Sequence, residues 1–174
     1  RQAQLQEQQV PQATSGQPST QQVGGIANTP KLGATVPSAL QEIQQGIQPR
    51  KTILKKTERV GILSARLQGS ISLLGARIDD LLLSDYHDTV DPSSPNIVLL
   101  SPTGSSDPYY AEFGWLGSNV KLPDGATKWQ ANRRNLTPES PVTLRWDNSE
   151  GLLFEQHYAL DDNYMLEVTQ RVSN

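Results

Sequence analysis

Pro141-Val-Thr-Leu-Arg-Trp146, Asp147-Asn-Ser-Glu-Gly151, Leu152-Leu-Phe-Glu-Gln-His-Tyr-Ala-Leu160, Asp161-Asp-Asn163 and Tyr164-Met-Leu-Glu-Val-Thr-Gln-Arg-Val172 form the stretch that decides the fold. Val142, Leu144 and Trp146 alternate with Thr143 and Arg145, the period of two that puts successive side chains on opposite faces of a strand. The next run places Leu152, Phe154, Tyr158 and Leu160 on one face and Glu155 and His157 on the other. In the third, Tyr164, Leu166, Val168 and Val172 are opposed by Glu167, Thr169 and Arg171. Between the runs stand Asp, Asn, Ser and Gly, residues whose side chains bond the local backbone or that tolerate positive φ. The expectation is a three-stranded antiparallel meander with one wet face.

Working towards the N-terminus, the same grammar continues with less regularity. Residues 59–67 and 70–74 read as a strand pair turning around Gly69, and Gly75 as a bend or bulge leading into residues 76–83. Residues 78–83 have helix-compatible propensity, but the flanking Gly75 and the absence of a sustained 3.6-residue period favour strand. Residues 96–100, 110–116 and 120–122 are further short apolar runs, the last closed by Pro123-Asp-Gly125. Eight or nine strands with turns every 8–12 residues predict an all-β, antiparallel β-sandwich.

Before residue 56 the composition changes. Gln-rich tracts are broken by Pro11, Pro18, Pro30, Pro37 and Pro49, and this buries too little apolar surface to offset an ordering cost of ~1–2 kcal/mol per residue. Residues 1–55 are therefore expected to be a flexible linker, disordered for the most part, and residues 56–174 the β-sandwich domain. Residues 1–9 and a stretch starting at Pro37-Ser38, with Leu40, Ile43 and Ile47 at helical spacing, are the two places for transient helix. The chain has 174 residues, a net charge of −3, no cysteine and 35% hydrophobic residues. A slightly acidic chain offers no field for phosphates, so no nucleic-acid partner is expected. The missing cysteines exclude disulfides, thiolate metal sites and a Cys nucleophile. No run approaches the ~18 consecutive apolar residues of a spanning helix, and a chain that starts at Arg1 reads as a piece of something longer.

Three constellations could carry chemistry. The acidic stretch Asp79, Asp80, Asp85, His87, Asp88 and Asp91 offers carboxylates for acid–base or metal work, but it matches no calcium-loop spacing. Adjacent Asp79 and Asp80 would face opposite ways on a strand, and a solvated loop is the simpler reading. Glu155 and His157 share a strand face, as alternation alone would produce. Tyr109, Tyr110, Phe113, Trp115, Trp129 and Trp146 could line a groove for a sugar or an extended peptide, although core packing is the commoner use. Asn135-Leu-Thr137 matches a glycosylation acceptor followed by Pro138, a short pattern of the kind chance supplies. No nucleophile elbow or phosphate loop is present. We expect no catalytic, cofactor-binding or metal-binding residues, and no enzyme.

The blocks Gly69-Ser-Ile-Ser-Leu-Leu-Gly-Ala-Arg-Ile-Asp-Asp-Leu81, Asp85-Tyr86, Thr89-Val-Asp-Pro92, Ser94-Pro95, Leu99-Leu-Ser-Pro102 and Pro108-Tyr-Tyr-Ala-Glu-Phe-Gly-Trp115 resemble, in order, the alphaproteobacterial YidC-type membrane-protein insertases. So do Pro141-Val-Thr-Leu-Arg-Trp-Asp-Asn148, Glu150-Gly-Leu152 and Asp161-Asp-Asn-Tyr-Met165; Ser64-Ala65 and His87 are departures. The resemblance implies a periplasmic domain with a mutarotase-like β-supersandwich, attached to the bacterial inner membrane by helices outside this chain. It implies that the chain holds the front part of that domain, truncated on its C-terminal side, with exposed apolar surface or dimerisation in isolation. Partners would be subunits of the Sec translocon and nascent membrane proteins, reached through the parent protein. The competing expectation is a periplasmic carbohydrate-binding or mutarotase-like β-sandwich module.

Overall fold

The structure, a computed structural model, describes residues 33–34 and 46–174. The helical stretch expected at residues 1–9, most of the one expected from Pro37, and the linker up to residue 45 apart from the pair 33–34 lie outside the described residues. Ile47, the last apolar residue of the second stretch, is described and is exposed.

The meander forms as its alternation dictates. Strands β9 (Val142–Asp147), β10 (Leu153–Leu160) and β11 (Leu166–Ser173) pair antiparallel, with Tyr158 between Val142 and Val168 and Phe154 between Trp146 and Val172. Both turns are tied by side chains. Asn148, fully buried, accepts at Oδ1 from the backbone N–H of Glu150 (2.8 Å) and Leu152 (3.0 Å), while Ser149 and Gly151 take positive φ of 62° and 96°. Asp161 Oδ1 accepts from Asn163 and Met165, each at 2.9 Å. Gln156 also lies on the buried face, a position the alternation of apolar residues leaves unmarked. Its Nε2 donates to the Phe113 carbonyl (3.1 Å) and its Oε1 accepts from the Tyr158 hydroxyl. Strand β7 (Gln130–Ala131) completes a four-stranded sheet of order β11-β10-β9-β7.

The second sheet has the order β5-β4-β3-β2-β8, built from β2 (Arg59–Leu63), β3 (Leu67–Ser72), β4 (Ile78–His87), β5 (Asn96–Leu100) and β8 (Asn135–Leu136). Residues 78–83 are strand, and β8 runs parallel to β2 because it returns by a long connection rather than a hairpin. The β2–β3 turn lies at residues 64–66, where Ser64 Oγ accepts from Leu67 N–H at 2.9 Å, and not at Gly69. Gly75 does turn the chain, with φ of 76° followed by 53° at Ala76.

Residues 110–116 and 120–122, expected as strands, are mostly irregular. Ala111 forms a single bridge with Ile78, and only β6 (Leu116–Gly117) is extended, pairing with β1 (Gly33–Ala34). Their carbonyls find partners elsewhere: Phe113 O accepts from Gln156, and Lys121 O from Asn148 Nδ2 (3.3 Å). A ladder was not needed to satisfy them. A five-residue helix, α1 (Arg50–Leu54), follows Pro49 and precedes the sheets.

One core joins the two sheets. Val60, Ile62, Leu67, Ile71, Ile78 and Leu81 come from one, and Val142, Leu144, Phe154, Tyr158 and Leu160 from the other. Each such side chain contributes ~1.5–3 kcal/mol of transfer free energy. The fold is thus all-β, a sandwich of two predominantly antiparallel sheets.

Candidate functional site: two buried carboxylates at a bulge in β4

Asp79 and Asp80 stand in β4, 6% and 7% exposed, not in a solvated loop. Nor do they face opposite ways. The β3–β4 register passes from Ser70 opposite Asp80 to Ile71 opposite Ile78, so β4 carries one extra residue, Asp79. Such a bulge breaks the alternation and turns two adjacent side chains towards one side. Gly69 permits it, since a Cβ there would collide with the Asp80 carbonyl.

The two carboxylates end in one chain of polar contacts. Arg59 of β2 donates from Nη2 to Asp79 and from Nε to Ser70 Oγ at 2.7 Å. Ser70 Oγ in turn donates to Asp80, whose other oxygen accepts from Arg50 of α1. Nearby, buried Arg77 pairs with Glu112 at 3.2 Å and lies over the Tyr110 ring, 5.4 Å from its centroid. Arg50, Arg59 and Arg77 balance Asp79, Asp80 and Glu112, so the cluster is neutral. Burial pushes the Asp79 carboxyl above its ordinary value of 3.8, against the lowering pull of Arg59 and, further off, Arg77. A cavity of about 290 Å3 opens beside it, lined among others by Gln48, Lys56, Arg59, Arg77, Asp79 and Thr103. An arginine stays protonated, so it can hold and orient but does not shuttle protons. What the arrangement can do is lock α1, β2, β3 and β4 to one another.

The rest of the acidic stretch is dispersed. Asp85 accepts from the Tyr164 hydroxyl at 2.8 Å, with Arg66 over the same ring, so it ties the end of β4 to the β10–β11 turn. His87 ends β4 opposite Asn96, and Asp88 and Asp91 organise the following turn; Ser93 N–H and Oγ both donate to Asp91 Oδ1, which lowers its carboxyl. Glu155 and His157 do not work together. Glu155 accepts from Arg145 Nε (2.7 Å) across the β9–β10 ladder, and His157 Nδ1 lies 3.1 Å from Thr143 Oγ1. Among the aromatics, Trp115 stacks on Trp129 (5.7 Å) and meets Phe154 edge-on (5.3 Å), so these rings are core, whereas Tyr109 is exposed. Asn135 lies in β8, beside β2. Among the described residues no group of three or more His, Asp or Glu side chains is placed to hold a metal ion. The residues that complete the cluster, Arg50, Arg59, Ser70, Arg77 and Glu112, had no motif to announce them. The one available signal was two acids inside an apolar strand.

Two packed sheets with a parallel return strand and a salt-bridged bulge define an all-β domain of the β-sandwich class. The family model of the YidC periplasmic domain matches residues 59–174, and the chain belongs to that family. It is similar to the membrane protein insertases YidC of Methylorubrum extorquens (47% identical over 166 residues, 95% of this chain and 26% of that protein) and Bradyrhizobium diazoefficiens (43% over 183 residues, 99% and 29%). The relative from Methylobacterium radiotolerans is 46% identical over 150 residues, 84% of this chain and 24% of that protein. The chain thus spans about a quarter of the length of the curated relatives it matches. It is the periplasm-facing part of a bacterial inner-membrane protein family. Among the described residues no helix is long and apolar enough to cross a membrane.

Proposed function

We propose that this chain serves as the non-catalytic periplasmic domain of a membrane-protein insertase, which helps to insert and fold inner-membrane proteins with or without the Sec translocon. The observation that carries this reading is the family match over residues 59–174, together with relatives that are named insertases. The domain's part is contact: with translocon subunits, or with the rest of the insertase, which it would stabilise. The pairing of the buried acids Asp79 and Asp80 with arginines supports a structural use of the carboxylates that looked most like catalytic groups. No observation favours the carbohydrate reading; of the aromatic rings that could stack on a sugar, Trp129 is 4% exposed and Trp146 packs partly buried against the core.

The domain proper would begin at residue 56, after a Gln/Pro-rich linker over 1–55 that is flexible up to its last residues, where α1 is tied to the domain, and helices outside this chain would hold it at the membrane. The start of the family match at residue 59 supports that boundary, with Arg50 reaching forward to Asp80 as an anchor for the end of the linker.

The test is a chimera in which the matching segment of the Methylorubrum extorquens insertase is replaced by this chain. The expected result is wild-type insertase abundance and wild-type co-purification of translocon subunits, with both reduced when an unrelated β-sandwich of similar size is inserted. Equal performance of the unrelated sandwich would defeat the contact role. Faster anomer interconversion of glucose, followed by NMR with the purified chain, would defeat the non-catalytic one.

A further inference from the structure

In Arg50-Lys-Thr-Ile-Leu-Lys-Lys56 four of seven residues are basic and none is acidic, although the whole chain has a net charge of −3. The segment contains α1, which has two sides. Arg50, Ile53 and Leu54 are half-buried, Arg50 on Asp80 and Ile53 beside Gly104, so that side faces the domain. Lys51, Thr52, Lys55 and Lys56 are exposed, with Lys51 and Lys55 one turn apart on the outer side. Just before the helix, Ile47 is 77% exposed. Just after it, Lys56 lines a cleft of about 370 Å3 together with Lys128, and Glu58 is the one carboxylate of that lining.

These lysines have little to do inside the domain. Arg50, Arg59, Arg66, Arg77 and Arg145 form ion pairs, whereas Lys51, Lys55, Lys56 and Lys128 form none among the described residues. Lys56 donates to the side-chain oxygen of Gln48 at 2.8 Å, a neutral partner that leaves its charge unbalanced. The end of α1 favours a cation at Lys55, but that gives no reason for Lys56 or Lys128. An exposed isoleucine alone is ordinary. Beside a basic face it has the composition of a segment that rests on an anionic bilayer, with the apolar side chain at the boundary and the lysines among the headgroups.

We propose that Ile47, Lys51, Lys55, Lys56 and Lys128 form a contact face for anionic phospholipid headgroups, on which the domain rests against a membrane surface. This rests on the reading above that the domain is held at a membrane. Each lysine near an anionic surface strengthens the contact about fivefold, so the face alone holds weakly and reversibly. Attachment through the parent protein raises the effective concentration of the bilayer and makes a weak contact sufficient. Because the chain is acidic overall, the same field repels its other faces and so orients the domain. An acidic protein surface would match the lysines, but the bilayer also takes up Ile47.

The test is flotation of the whole chain with phosphatidylcholine vesicles, with and without phosphatidylglycerol, in dilute salt. Flotation is expected only with phosphatidylglycerol, and ~1 M salt should reverse it, since the screening length then falls to ~3 Å. Lys51→Gln/Lys55→Gln/Lys56→Gln should weaken it about a hundredfold. The same loss of charge in Lys121→Gln/Arg145→Gln/Arg171→Gln, around the meander, should leave it in place. Because the chain has no cysteine, a polarity-sensitive fluorophore can be attached at Ile47→Cys or, as a control, at Gln170→Cys, which is exposed in β11. On the anionic vesicles the label at position 47 should shift to the blue and the label at 170 should not. No flotation with phosphatidylglycerol, equal loss in the two triple variants, or a label at 47 that shifts no more than the one at 170 would each overturn the proposal. So would lysine-dependent binding to polyglutamate without binding to vesicles, the sign of an acidic protein partner. Each of these results leaves the outcome of the chimera, and with it the proposed function, untouched.

Discussion

Replacing Arg59 by methionine keeps most of the side-chain volume but leaves the Asp79 carboxylate, 8% exposed, without its principal counter-ion. Breaking one side of a buried ion pair costs ~3–5 kcal/mol. Arg77 also attracts Asp79, so the lower end is expected, about 3 kcal/mol. Set against a typical domain stability of ~5–15 kcal/mol, this is a large fraction. In urea, with a slope of ~2 kcal/mol/M, the midpoint should fall by about 1.5 M. The double variant Arg59→Met/Asp79→Leu should recover most of that loss, because burial already outweighs the attraction at Asp79 and the apolar pair removes both charges.

The pH dependence follows from the same carboxyl. Its folded-state value is raised, so its contribution to stability is fully present below the ordinary value of 3.8 and is lost as the pH rises through the folded value. Without Arg59 that value rises further, so the Arg59→Met penalty should shrink on acidification as Asp79 becomes neutral. A penalty below ~1 kcal/mol at neutral pH, the scale of an exposed pair, or one that grows in acid, would refute the account of a desolvated, paired carboxylate.

Gly69→Ala should cost ~1–3 kcal/mol or more by forcing β3 away from the Asp80 carbonyl; chemical denaturation reads it, and a near-neutral change would mean the bulge is not tightly packed. Asn148→Ala leaves the N–H groups of Glu150 and Leu152 without their shared acceptor and should lower stability by ~1–3 kcal/mol in thermal or urea unfolding. Burial holds the Tyr158 hydroxyl well above the usual tyrosine range, so in an ultraviolet alkaline titration it should stay neutral until the domain unfolds, and Tyr158→Phe should remove that late component.

The strands that could be read directly were those whose environment is one-sided. In 141–172 each strand has one wet face, so apolar and polar residues alternate and Asp, Asn and Gly mark the turns. Gln156 escaped notice because a buried polar residue carries no hydropathy signal; only its bonds to Phe113 and Tyr158 explain its place. The two-residue strands β7 and β8 are too short for any period to show. Residues 110–116 and 120–122 look like strands in sequence because their apolar content reflects packing of Phe113, Trp115 and Leu122 against the core, while the Phe113 and Lys121 carbonyls are satisfied by side chains.

The amino-acid sequence by itself determined the all-β class, the meander and, through serial resemblance, the family. These depend on local alternation, turn chemistry and residue order, all of which are linear properties. The tertiary structure alone decided the fate of Asp79 and Asp80. A bulge is a mismatch between two strands, and a counter-ion brought from residue 50 or 59 is a long-range contact, so neither is written in the neighbours of the residue it controls.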